Sequence, residues 1–239
     1  MTAAQAQGSA AASTTLPTVN VRSTTLDETP TSPVVGYRAK QAVTAAKTDT
    51  PLSETPQSVT IVTRDQMVDQ GATSLQDALT YAAGVRSDAW GLDGRADSFL
   101  VRGTEPSVYL DGLQQNSSGW YTATTRTDPF TLERIEVLRG PAGMLFGAGT
   151  AAGVVNMVSK RPLQEAQGEI GLTIGNRARR QLQADLTGPL TEDKTWSYRL
   201  IAVYRKADTQ VDHVPDDRAL LAPSLAWRPN GRTSLIVPG

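Results

Sequence analysis

Few side chains of this protein can do covalent or metal chemistry. His213 is its sole histidine and it has no cysteine. Multi-histidine metal sites, thiolate ligands and disulfide frameworks are therefore excluded, and a hydrolytic triad is poorly supplied. The stretch Asp208–Asp217, with Asp212, Asp216 and Asp217 around His213, has acid enough for calcium but suits an exposed loop better. Gly147-Ala148-Gly149-Thr150-Ala151-Ala152 matches the G-x-G-x-x-G/A dinucleotide fingerprint. A pyrophosphate site also needs a helix after the glycines, and Val154 to Val158 is β-branched and strand-like. An oxidoreductase built on this segment is set aside, and the chain reads as a non-enzyme. The stretch with most information is Leu132 to Pro162. There an Arg134–Glu136–Leu138 alternation ends in Arg139-Gly140-Pro141, and a run of glycines closes on Ser159-Lys160-Arg161-Pro162.

The elements around that stretch fall into three zones. Residues 1–50 are mostly Ala, Thr, Ser, Gln and Pro, have little to bury, and read as a disordered tail. Residues 51–162 mix helix and strand signals. Ser58 to Thr63 is β-branched and predicts a strand. Thr63-Arg64-Asp65-Gln66 has capping-box spacing for a short helix ended by Gly71. Thr73-Ser74-Leu75-Gln76 repeats the device, with Leu75, Ala78, Leu79 and Ala82 on one face and Gly84 at the C-terminus. Ser98–Arg102 and Val108–Leu113 are strand candidates, the second with an Asp111-Gly112 turn. Short helices among short strands without a βαβ repeat indicate an α+β domain.

From Leu163 onward apolar and polar residues alternate. Ile170, Leu172 and Ile174 form one face, as do Leu182, Ala184 and Leu186. Tyr198, Leu200, Ala202 and Tyr204 form another, with Arg199 and Arg205 opposite. Two tyrosines six residues apart on a strand are separated by about 20 Å, near the height of an outer-membrane barrel's apolar band with its aromatic rims. Trp196 and Trp227 also sit where strands meet turns. Alternation by itself fits a soluble sandwich equally well.

The run LERIEVLRGPAGMLFGAGTAAGVVNMVSKRP resembles the plug signature of TonB-dependent outer-membrane siderophore receptors. Gly36 to Lys40, Lys47 to Val59, Leu79 to Val85, Phe99 to Gly103 and Tyr109 to Gly112 are similar to further landmarks of that family. Trp196–Leu200 and Ala222–Pro229 resemble the first barrel strands of its ferrichrome and ferrioxamine type. The resemblance implies an α+β plug domain, a mixed sheet with short helices, over 51–162. It implies antiparallel strands of an incomplete transmembrane β-barrel over 163–239. It also implies a cell outer membrane location and uptake of a ferric siderophore, with a hydroxamate favoured. No cofactor is expected, because iron is held only through its siderophore.

Leu16-Pro17-Thr18-Val19-Asn20-Val21 resembles the TonB box, which adds a strand to TonB by β-augmentation. The tether from Val21 to Pro56 would reach about 110 Å at most. Arg102 and Arg139 match arginines that bridge the plug to barrel glutamates in the family. By position, the ligand contacts fall at Trp90 and Asp93, at Glu105, and at Trp120 and Tyr121, where loop aromatics would offer apolar contact with indole and hydroxyl donors.

Bulk composition sets the remaining expectations. With 23 basic and 24 acidic residues the net charge is -1, which gives no reason to expect nucleic acid as a partner. A leader is not evident after Met1, although Ala4-Gln5-Ala6 has the small-x-small form of a cleavage site. After Lys160 come 79 residues, roughly five strands at about 9–11 residues each. The smallest barrels need about eight and plugged transporters about 22. The expectation is an N-terminal fragment of a receptor; the alternative is a barrel-less plug that binds siderophore or TonB in the periplasm.

Overall fold

The computed structural model describes residues 29–46, 48, 50–91, 96–115, 126–140, 146, 150–231 and 233–238. The chain enters along a strap, residues 29–46, that closes in the short helix α1 (Val43–Ala46). Strand β1 (Ser58–Thr63) runs directly into α2 (Arg64–Asp69), whose N-cap is the Thr63 hydroxyl accepting from the Gln66 amide. Gly71, at φ +62°, ends that helix in the left-handed conformation glycine allows. Ser74, rather than Thr73, caps α3 (Leu75–Leu79), and Leu75, Ala78 and Leu79 are buried as the spacing predicts.

Strands β2 (Val85–Arg86) and β3 (Leu100–Val101) form a two-residue ladder. Strands β4 (Ser107–Leu110) and β5 (Leu113–Gln114) are joined by Asp111 and Gly112, both at positive φ, as a type I′ turn requires. Strands β6 (Leu132–Arg139) and β7 (Gly153–Ser159) complete a sheet in the order β1-β6-β7-β4-β5, with β4 and β7 parallel. Val62, Met67, Leu75, Leu79, Val101, Ile135, Val137 and Val155 close its core.

The tail expectation needs correction for residues 29–46. Val34, Ala39, Ala42, Thr44 and Ala45 are buried against the plug. Composition misled because small residues pack closely without a large apolar surface, and because plug side chains satisfy the strap's backbone. The Glu133, Asp65 and Glu136 carboxylates accept from the amides of Val34, Gly36 and Thr44 at 3.3, 2.6 and 2.8 Å.

The second sheet contains β8 (Gln167–Ile174), β9 (Arg180–Pro189), β10 (Trp196–Lys206), β11 (Arg218–Asn230) and β12 (Thr233–Val237), antiparallel in chain order. Along β10, Ser197, Arg199, Ile201, Val203 and Arg205 are buried, while Trp196, Tyr198, Leu200, Ala202 and Tyr204 turn away. The register sets Leu182, Ala184 and Leu186 on one side of that outer row and Leu221, Pro223 and Leu225 on the other. Ile170, Leu172 and Leu221 stand 74%, 72% and 68% exposed, so nothing among the described residues covers this face, which carries no charge between its rims. Trp196 and Trp227 lie side by side at one rim, ring centroids 6.0 Å apart. Tyr204 sits at the other, eight residues or about 27 Å along β10. The aromatic limits are thus Trp196 and Tyr204, rather than the two tyrosines.

Candidate ligand face and plug–wall interface

The two rims differ in what reaches them. At the lower rim the chain leaves the plug for the wall: Arg228 donates to the Pro162 carbonyl at 3.0 Å and Gln164 to the Lys194 carbonyl at 3.2 Å. The strap lies there too, beside a cleft of about 730 Å³ lined by Thr29–Pro33, Arg161–Gln164 and the β11–β12 hairpin. At the upper rim the loops before β3 and β6 meet the loop that leads into β11.

Two of the five anticipated ligand contacts fall among the described residues. Trp90 is 65% exposed on the turn after β2, and Glu105 is exposed before β4. They leave the β2–β3 ladder from opposite ends, so the structure does not join them in one cluster. Asp93, Trp120 and Tyr121 lie outside the described residues, as does Leu16, Pro17, Thr18, Val19, Asn20 and Val21.

Arg102 and Arg139 are neighbours in the plug. Arg139 donates to the Ala83 carbonyl at 2.8 Å, to Ser58 Oγ at 2.9 Å, and to Thr60. Burial and then the Arg102 charge pull its pKa down. Neither arginine has an acidic partner among the described residues.

The side chains that join plug to wall lie elsewhere. Asp185 of β9 accepts from Lys160 at 2.8 Å and from both Arg199 Nε and Nη2 at 2.7 Å. All three side chains are nearly dry, at 4%, 1% and 6% exposure. Arg199 also donates to the Arg161 carbonyl at 2.9 Å, and Lys160 lies 4.1 Å over the Phe130 ring. Burial lowers the Lys160 pKa and Asp185 opposes it.

Higher up, Arg205 meets Asp128 at 3.3 Å and Asp216 at 3.2 Å. Arg126 meets Asp216 at 3.3 Å and Asp97 at 3.5 Å, while Arg179 and Arg218 flank the group at 3.7 and 3.9 Å. Burial pushes the Asp97 carboxyl up against the downward pull of Arg126. Four arginines against three aspartates leave this interface positive. The inward period of Arg199 and Arg205 on β10 was the one sequence signal for either cluster. Lys160, Asp128 and Asp216 had no signal, because their partners come from other elements.

At the lower rim, Asp193 in the β9–β10 turn accepts from Thr191 Oγ1 at 2.5 Å, the Thr195 amide at 3.0 Å and Thr195 Oγ1 at 2.6 Å. The Thr191 hydroxyl, then the Thr195 hydroxyl and amide, lower its pKa from 3.8 to about 2. A depressed carboxylate stabilises the turn above the unfolded value and loses that contribution as pH falls through the folded one. Titration of the Asp193 carboxyl carbon by NMR is expected to give a midpoint near 2; a midpoint near 3.8 would show the turn unformed.

An α+β plug tied by buried ion pairs to one side of an antiparallel sheet, whose other side is apolar, has the architecture of the opening part of a TonB-dependent receptor. Residues 51–154 match the TonB-dependent receptor plug domain, a domain of receptors rather than of enzymes. It is 39% identical over 209 residues to the ferrioxamine receptor of Yersinia enterocolitica, covering 86% of this chain and 29% of that protein. It is 34% identical over 207 residues to the ferrichrome outer membrane transporter/phage receptor of Escherichia coli K12, covering 84% and 27%. The pyoverdine outer membrane receptor FpvA from Pseudomonas aeruginosa PAO1, solved bound to pyoverdine, superposes with a TM-score of 0.78 at 28% identity, over 84% of this chain and 30% of that one. The chain thus spans less than a third of the length of the relatives it matches.

Proposed function

We propose that this chain supplies the plug and first wall strands of an outer-membrane receptor that takes up a ferric siderophore of hydroxamate type. The observation that carries the reading is the two-sidedness of β8–β12. Its exposed face is a continuous apolar band of membrane height, and its buried face grips the plug through ion pairs. A soluble siderophore- or TonB-binding plug would have no use for the exposed apolar face. The ligand class rests on the ferrioxamine and ferrichrome relatives. Trp90, Asp93, Glu105, Trp120 and Tyr121 are the proposed contacts, and iron stays within its chelate. Arg102 and Arg139, like charges without a carboxylate beside them, suit acidic partners on further strands of a complete wall. Leu16–Val21 is the proposed TonB-binding segment.

The test is a chimera in which this chain replaces the matching 209 residues of the Yersinia receptor. Under iron limitation, cells with the chimera are expected to grow on ferrioxamine. Val19→Pro, which removes a strand-pairing N–H, is expected to abolish uptake and spare surface binding. A chimera that reaches the outer membrane yet binds no hydroxamate chelate would sink the ligand class. Uptake unaffected by Val19→Pro would sink the TonB assignment.

A further inference from the structure

Arg134 and Glu136 are fully buried on one side of β6 and meet through Nε and Oε1 at 3.4 Å. Neither faces the wall nor the upper loops. Arg134 Nη2 and both Glu136 carboxylate oxygens reach the strap. Arg134 Nη2 donates to the Pro30 carbonyl, with the Thr29 and Ser32 carbonyls at 3.5 Å. Glu136 accepts from the Thr44 amide at 2.8 Å and the Val43 amide at 3.3 Å. One ion pair therefore holds both ends of the strap. Between them Glu133 takes the Val34 amide, Asp65 takes the Gly36 amide, and Thr63 donates to the Gly36 carbonyl at 2.8 Å.

These bonds run from plug side chains to strap backbone, outside any sheet ladder. A ladder opens rung by rung. The strap instead is what keeps the pair dry, and dryness is what gives the pair and its hydrogen bonds their strength. Water admitted by lifting either end reaches both charges and weakens the grip on the other end.

We propose that the Arg134–Glu136 pair is a catch through which the strap is released from the plug as one unit. Lifting Thr29–Ser32 from Arg134 hydrates the pair, and Glu136 then surrenders Val43 and Thr44. The source of the load, tension on the tail by TonB, rests on the proposed function above; the fastening does not. Because Thr29 is the first strap residue the tail would pull, the Arg134 end takes the load first. Arg134 and Glu136 are positioning residues, acting through the strap rather than on the ligand.

Site-resolved hydrogen exchange on the detergent-solubilised chain tests the catch. In the unmodified protein the amides of Val34, Gly36, Val43 and Thr44 are expected to share one opening rate, faster than Val137 and Val155 in the sheet. Arg134→Gln is expected to accelerate Val43 and Thr44, which Arg134 does not touch, at least about tenfold, because a buried charge left alone is costly. Glu136→Gln is expected to do the same at Val34. The double variant should be no faster than either single one, since it leaves no orphaned charge. Unchanged Val43 and Thr44 rates in Arg134→Gln, or additive effects in the double variant, would overturn the proposal. Should a variant also expose Val137 and Val155, the shared rate in the unmodified protein decides alone: separate rates refute the catch. Exchange involves neither TonB nor siderophore, so its failure is distinct from failure of the uptake test.

Discussion

Asp185→Ala is expected to loosen the wall from the plug by about 3–5 kcal/mol, the usual cost of removing one partner from a buried ion pair. The variant strands two cations. Lys160 and Arg199 lose their common carboxylate while remaining almost wholly enclosed, and Arg199 keeps just one neutral acceptor, the Arg161 carbonyl. Replacing all three by Leu or Met of similar volume should recover most of the loss, because the desolvation penalty goes with the charges. Denaturant titration of the detergent-solubilised chain, followed by fluorescence of the paired Trp196 and Trp227, reads the change. A shift under about 1 kcal/mol for Asp185→Ala would place this cluster with solvated surface pairs and remove it as the staple between plug and wall.

Gly153→Ala should have a larger effect still, above about 4 kcal/mol, the range reserved for a few severe mechanisms. Gly153 opens β7 at φ +114°, and a Cβ there would stand 2.0 Å from the Leu138 carbonyl oxygen. That oxygen belongs to the backbone of β6, so no side chain can swing aside. Relief requires β6 and β7 to part where Arg139 pairs with Gly153, the end pair of the ladder between two inner strands of the plug sheet. Gly112→Ala is the control: φ +81° is strained, but nothing lies within 4 Å of its Cβ, so only the left-handed cost of about 1–2 kcal/mol applies. Equal denaturant midpoints for the two variants would mean that the β6–β7 approach is softer than described.

Local signals carried much of the fold. The β-branched run gave β1 its bounds, Thr63 capped α2, Asp111-Gly112 turned the β4–β5 hairpin, and alternation sorted the two faces of β10. Each of these depends on neighbours in sequence. The strap was missed because its partners, Glu133, Arg134 and Glu136, lie on a strand far along the chain. Every residue from Leu132 to Leu138 is buried, so hydrophobic alternation in β6 marks two covered sides rather than a wet one. The same limit applies to the interface: Asp128 and Asp216 read as loop acids until Arg205 is folded between them. The proposed ligand contacts were the least legible, since aromatics on loops obey no period.

The distance along the chain between the strap and its holders also sets an order of events in manufacture. Val34 and Glu133 are 99 positions apart, and Thr29 and Arg134 are 105. At synthesis rates of about 5–20 residues per second, roughly 5–20 s separate the emergence of the strap from that of its holders. Contacts so remote form late. The first described segment to be made is therefore among the last to be fastened. Protease resistance near Thr29 should accordingly rise late, and can serve as a clock for completion of the plug.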